Sequence, residues 1–134
     1  MTTLINENEL TDCFTRVLDS IEADLYLRVK ENDYANAARF ENQAIGSRSQ
    51  LSHMNRSPEA SENIDIDIEE LACRVDQEIA SKAETLRSMH EQRSWAKCAE
   101  LDARLSGIKK FRSCISVTAL TLRVNIKKSD TKTR

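Results

Sequence analysis

The stretch Glu31-Asn-Asp-Tyr-Ala-Asn-Ala-Ala-Arg-Phe-Glu41 occurs twice. Its echo, Gln92-Arg-Ser-Trp-Ala-Lys-Cys-Ala-Glu-Leu-Asp102, lies 61 positions later. Each copy opens on a short polar break and a capping residue, Asp33 or Ser94. An aromatic follows, then small residues and a large apolar one at helical spacing. A polar break with an N-cap residue ends one helix and starts the next. Each copy therefore reads as the corner of an antiparallel helical hairpin.

The flanking residues supply the hairpin arms. Leu10, Phe14, Val17, Leu18, Ile21, Leu25 and Val29 step by three or four, a stripe that predicts a first helix from Leu4 to Glu31, capped near Asn6 or Asn8. A second helix runs through Tyr34, Ala37, Ala38, Phe40, Ala44, Leu51 and Met54. Residues 55–63 hold the only Pro and almost nothing to bury, and read as a linker. A third helix is expected from near Ile64 through Ile68, Leu71, Val75, Ile79, Leu86 and Met89, although Ile64-Asp-Ile-Asp-Ile alternates like a strand. The fourth carries Trp95, Cys98, Ala99, Leu101, Leu105, Ile108, Ile115, Ala119, Leu122 and Ile126. Over 115–126 the β-branched residues favour a strand, while the unbroken apolar spacing favours helix, which is the expectation. A frayed basic tail is expected over 127–134.

Composition agrees with helices. The 134 residues include two Gly and one Pro, too few for the turns of a compact sheet, and 4% aromatics, so the core must be aliphatic. The length fits one domain. Net charge is −2, but residues 104–134 hold nine Lys/Arg against one Asp, while Glu59–Glu70 holds six carboxylates and no base. The first residues lack the basic and apolar regions of a signal peptide, and no apolar run approaches a membrane span. Cys13, Cys73, Cys98 and Cys114 show neither C-x-x-C spacing nor zinc-like His pairing. A soluble protein of the reducing cytoplasm, with no membrane contact, is the simplest expectation.

At the 61-residue offset, residues 5–54 align with 66–115. Leu10/Leu71, Leu25/Leu86, Tyr34/Trp95, Ala35/Ala96, Ala38/Ala99 and Phe40/Leu101 coincide. The chain's two glycines, Gly46 and Gly107, also fall in register, which helical spacing alone does not require. Apolar spacing resumes after both, so close helix crossing is preferred to a helix C-terminus for them. Ala35, Ala38 and their mates are expected to let the second helix of each hairpin approach the first, with the aromatic plugging the closed end. The resulting organisation is repeat one at 5–54, linker 55–63, repeat two at 66–115 and a basic C-terminal extension 116–134.

The repeated pattern, Asp33-Tyr34-Ala35-Asn36-Ala37-Ala38-Arg39-Phe40 and Ser94-Trp95-Ala96-Lys97-Cys98-Ala99-Glu100-Leu101, resembles the UVR motif. That helical hairpin occurs near the C-terminus of UvrB, in UvrC and in adaptor-type proteins around Clp proteases. The family's Arg-Asp after the large apolar residue is replaced here by Glu41-Asn42 and Asp102-Ala103. The resemblance therefore implies a protein-binding hairpin without implying which partner it binds.

Nothing in the residues points to catalysis. His53 and His90 lack a nucleophile partner and the Glu-x-x-His spacing of di-iron bundles, and both glycines are isolated, so no phosphate loop exists. No cofactor or metal is expected. Cys13 and Cys98 lie on or beside apolar faces, where cysteine packs as a small hydrophobe. Tyr26, Leu27 and Leu51 lie partly off the stripes and fit either an exposed patch or a broad core face. Lys109, Lys110, Arg112, Arg123, Lys127 and Lys128 are the sharpest charge feature. They fit phosphate contacts, a solvated face, or attraction to an acidic segment.

The sequence thus predicts an all-α fold: four helices as two antiparallel hairpins from an internal repeat, packed as a bundle. The leading function is a non-enzymatic protein-binding adaptor or inhibitor, a regulator of another protein, using Tyr34, Phe40, Trp95 and Leu101. Such long amphipathic helices also suit coiled-coil-like homodimerisation. Alternatives are a nucleic-acid-associated regulator using the basic fourth helix, and a secretion or assembly chaperone.

Overall fold

A computed structural model describes the backbone over residues 4–50 and 65–132, and side chains over 9–50 and 67–119. The linker expected at 55–63, together with Leu51, His53 and Met54, lies outside the described residues, as do the side chains of Leu122, Arg123, Ile126, Lys127 and Lys128. Strand β1 (Leu4–Asn6) leads into helix α1 (Glu7–Lys30) and then α2 (Tyr34–Ser49). Strand β2 (Asp65–Asp67) leads into α3 (Ile68–Glu91) and then α4 (Trp95–Lys132). The fold is all-α: α1 packs on α2, α3 on α4, and the two hairpins join chiefly through α2 and α4.

Both hairpin corners are built alike. The first helix of each ends on a residue in the left-handed region, Asn32 at φ 60° and Arg93 at φ 57°. At the first corner, Asn32 N donates to Val29 O (3.1 Å) and Asp33 N to Arg28 O (2.9 Å). The second repeats this with Arg93 N to His90 O (3.0 Å) and Ser94 N to Met89 O (3.0 Å). This paired pattern satisfies the carbonyls that a helix C-terminus leaves open. Asp33 then caps α2 by accepting from Asn36 N (3.4 Å) and Asn36 Nδ2 (2.7 Å). Those bonds, with Arg28 nearby, hold its carboxyl below the usual range.

Two helix boundaries differ from the sequence expectation. The first helix begins at Glu7 rather than Leu4, and the third at Ile68 rather than near Ile64. The residues before each helix pair instead as an antiparallel ribbon, Leu4 opposite Asp67, Ile5 opposite Ile66 and Asn6 opposite Asp65. The alternation at Ile64–Ile68 was thus a strand signal. Asp67 ends the strand and caps α3, accepting from Glu69 N (3.1 Å) and Glu70 N (3.2 Å). At the other end, α4 stays helical through Lys132, so 115–126 is helix and most of the expected frayed tail belongs to it.

The core lies where the middle of α4 packs between α1 and α3. Leu10, Phe14, Ile68, Leu71, Val75, Ile108, Phe111, Cys114 and Ile115 form one buried cluster, with Cys13, Val17, Leu18, Ala72, Ile79 and Ala119 against it. Phe14 meets Phe111 edge to face, with centroids 5.2 Å apart. Val29, expected on this stripe, is exposed beyond its end.

A candidate protein-binding groove

The two hairpins meet at the two glycines. A Cβ on Gly46 would lie 2.0 Å from the carbonyl oxygen of Arg104, and one on Gly107 would lie 2.0 Å from that of Gln43. Gln43 and Arg104 are themselves 61 positions apart. The contact is therefore reciprocal, each glycine touching the residue three before its counterpart. The ribbon obeys the same symmetry, with Ile5 on its own mate Ile66 at the centre. Close crossing, the preferred reading of the glycines, is what they provide.

Polar groups pin this crossing. Ser47 Oγ donates across it to Gly107 O (2.9 Å) in a buried bond, while Ser49 Oγ donates within α2 to Gly46 O (2.6 Å). Lys110 Nζ donates to Gln43 Oε1 (2.9 Å) and Arg104 Nε to Asn42 Oδ1 (3.0 Å). Arg104 also pairs with Glu100 (2.7 Å), one turn earlier on α4. Backbones held this closely leave little freedom in how α2 and α4 diverge.

Before the crossing, the first halves of α2 and α4 enclose a cavity of ≈ 440 Å³. Ala35, Ala38, Ala96, Ala99 and Ala103 line it, and Arg39, Asn42, Glu100 and Asp102 supply its polar groups. Ala35/Ala96, Ala38/Ala99, Arg39/Glu100 and Asn42/Ala103 are mates in the repeat, so the groove lies on the local two-fold. Arg39 and Glu100 put opposite charges at equivalent positions.

This placement corrects two expectations. Ala35, Ala38, Ala96 and Ala99 are exposed in the groove between hairpins rather than buried within each hairpin. Small residues permit close approach on whichever side a neighbour lies, and spacing did not say which. Tyr34 and Trp95 do not plug the hairpins: they are 67% and 57% exposed at the starts of α2 and α4. The Tyr34 hydroxyl donates to Asn32 Oδ1 (3.0 Å), and Trp95 rests edge to face on His90, centroids 5.1 Å apart. Each aromatic immediately precedes a groove-lining alanine. Phe40 and Leu101, grouped with them from the sequence, are half-buried and are not among the lining residues.

The basic candidates divide. Lys109 is exposed. Lys110 is tied to Gln43, and Arg112 Nε reaches Asp76 Oδ1 on α3 (2.8 Å) while Nη1 donates to Ser116 Oγ (2.9 Å). The last two thus hold the fold together, and only the backbone is described for Arg123, Lys127 and Lys128. Tyr26 and Leu27 are exposed near the first corner.

The sequence reading missed the polar pinning at Asn42, Gln43 and Ser47. Their signal was the thinning of the apolar residues of α2 between Phe40 and Leu51 to Ala44 and Ile45. Among the described residues no three His, Cys, Asp or Glu side chains gather as for a metal. Likewise, no described helix is long and apolar enough to cross a membrane. No protein-family model matches the chain, and no curated protein or solved structure matches it.

Proposed function

We propose that the chain is a non-enzymatic protein-binding adaptor or inhibitor whose partner seats a helix in the groove between α2 and α4. The observation that carries this reading is the alanine-lined groove flanked by two exposed aromatics, Tyr34 and Trp95. Alanines let a partner helix approach the backbone, and exposed Tyr and Trp are the side chains that most often anchor protein interfaces. The opposite charges of Arg39 and Glu100 would favour one direction of that helix over the other. The likeness of both corners to the UVR motif points the same way. Because the Arg-Asp of that family is absent, the partner is expected to be chosen by the groove.

The test is copurification from the native host, at low salt and at 0.5 M, with mass measured by light scattering. A stoichiometric heterocomplex should survive high salt. It should be lost in Ala38→Arg and in Ala99→Arg, which fill the groove from opposite walls, while circular dichroism stays unchanged. Self-association alone would replace the adaptor reading by a homodimer. Nucleic acid that dissociates at high salt would transfer the role to the basic part of α4.

A further inference from the structure

At the end of the bundle away from the groove, two cysteines from different helices meet. Cys114 of α4 is buried in the core cluster, and Cys13 of α1 packs against that cluster, half-buried. Cys114 stands one helical turn before Val117 and Thr118 of α4, the residues beside Cys13. Cys13 also lines a surface hollow of ≈ 310 Å³ with Glu9, Asp12, Arg16, Val117 and Thr118. One sulfur of the pair is therefore reachable from solvent, and the other is held behind it. Cys73, exposed on α3, has Gln77 as its neighbour (Nε2 to Sγ, 3.7 Å) rather than a second thiol.

We propose that Cys13 and Cys114 are a redox modification site, closing to a reversible disulfide that fastens α1 to the second half of α4. The oxidant is a small-molecule disulfide of the glutathione type. Cys13, deprotonated, attacks one sulfur of that disulfide and expels a thiolate, leaving a mixed disulfide on Cys13. Cys114 then loses its proton and attacks Cys13 Sγ, expelling the second small thiolate. Overall, one protein dithiol and one small disulfide give one protein disulfide and two small thiols.

The order of attack follows from the surroundings. Burial, then the neighbouring Cys13, pushes the Cys114 thiol up to about 12, so it keeps its proton until Cys13 has reacted. Side chains that share one packed cluster can close the ~2 Å of a disulfide bond with little movement of the helices. The bond would close a loop containing both hairpin corners and the segment between the hairpins. A loop that long strongly restricts the unfolded chain.

The whole chain is incubated with oxidised glutathione in native buffer and again in urea, then digested without reduction for mass spectrometry. Expected is a Cys13–Cys114 cross-linked peptide with two hydrogens lost from the intact mass, formed faster in native buffer. The unfolding midpoint should rise by on the order of 10 °C and return on adding dithiothreitol. Cys13→Ser should abolish the cross-link, and Cys73→Ser should retain it. Glutathione stopping on Cys13 without cross-linking, or a cross-link formed only in urea, would overturn the proposal.

Discussion

The two copies of the hairpin agree in their ribbon strands, corners and crossing glycines, and disagree where their second helices meet the core. The ribbon, the left-handed corner residues and the crossing glycines are matched position for position at the 61-residue offset. One turn past the crossing the match ends. Ser47 of α2 and Gln50, which caps its end, stand where α4 has Ile108 and Phe111, and all four are fully buried. An interface between two copies constrains both through the same contact, so a change on one side is felt on the other. A core has no such bond, because apolar volume missing from one copy can be supplied by its mate. Between the second helices, α4 carries the apolar load and α2 has become the polar side of the crossing.

The largest expected effect tests that division. Phe111→Ala removes a fully buried ring with its edge contact to Phe14, and should cost about 3–5 kcal/mol in denaturant unfolding. Its mate Gln50 donates from Nε2 to Glu78 (2.8 Å), and its Oε1 finds no partner among the described residues. Gln50→Ala should therefore cost only about 1 kcal/mol, on the scale of one hydrogen bond. Equal costs at the two positions would mean that the copies share the core after all.

The glycines make the opposite demand. Gly46→Ala and Gly107→Ala each drive a methyl group into backbone, which has no rotamer with which to yield. Both should lose about 3 kcal/mol, the upper range for overpacking, and the double variant should lose less than the sum because the first separation of the helices relieves the second. If one glycine tolerates alanine while the other does not, the crossing is not reciprocal.

Most of this architecture was legible in the sequence, and the reasons for its gaps are physical. Corners and glycines were readable because a left-handed cap and a backbone crossing each demand few residue types. The ribbon was visible at Ile64–Ile68 yet was absorbed into a helix, since Leu4-Ile5-Asn6 is too short to show a period of two by itself. The groove alanines were noticed and assigned to the wrong pair of helices, because a methyl group fits close packing on either side and carries no direction. Cys13 was seen on its apolar face. Its neighbour Cys114 is distant in sequence and was invisible, since contact between two small core residues leaves no spacing signal. Exposure of Tyr34 and Trp95 was equally hidden: an aromatic at a helix start reads as a plug until the neighbouring hairpin is placed.

The smallest expected effect lies at the corners, where the copies share a backbone but not a residue. Asparagine enters the left-handed region readily, whereas a side chain such as Arg93 is strained there by roughly 1–2 kcal/mol. Arg93→Gly removes that strain at a helix C′ position that favours glycine, and should stabilise the chain by about 0.5–1 kcal/mol in denaturant melts. Asn32→Gly gains less from relaxation and gives up the bond from Tyr34, so it should stay within about 0.5 kcal/mol of the parent. The residue strained at the second corner stands two positions before Trp95, the aromatic beside the groove. If Arg93→Gly stabilises the fold and leaves partner binding intact, the strain is only a relic of divergence between the copies. If it stabilises the fold and weakens binding, the second corner is held in tension because the arginine side chain itself meets the partner.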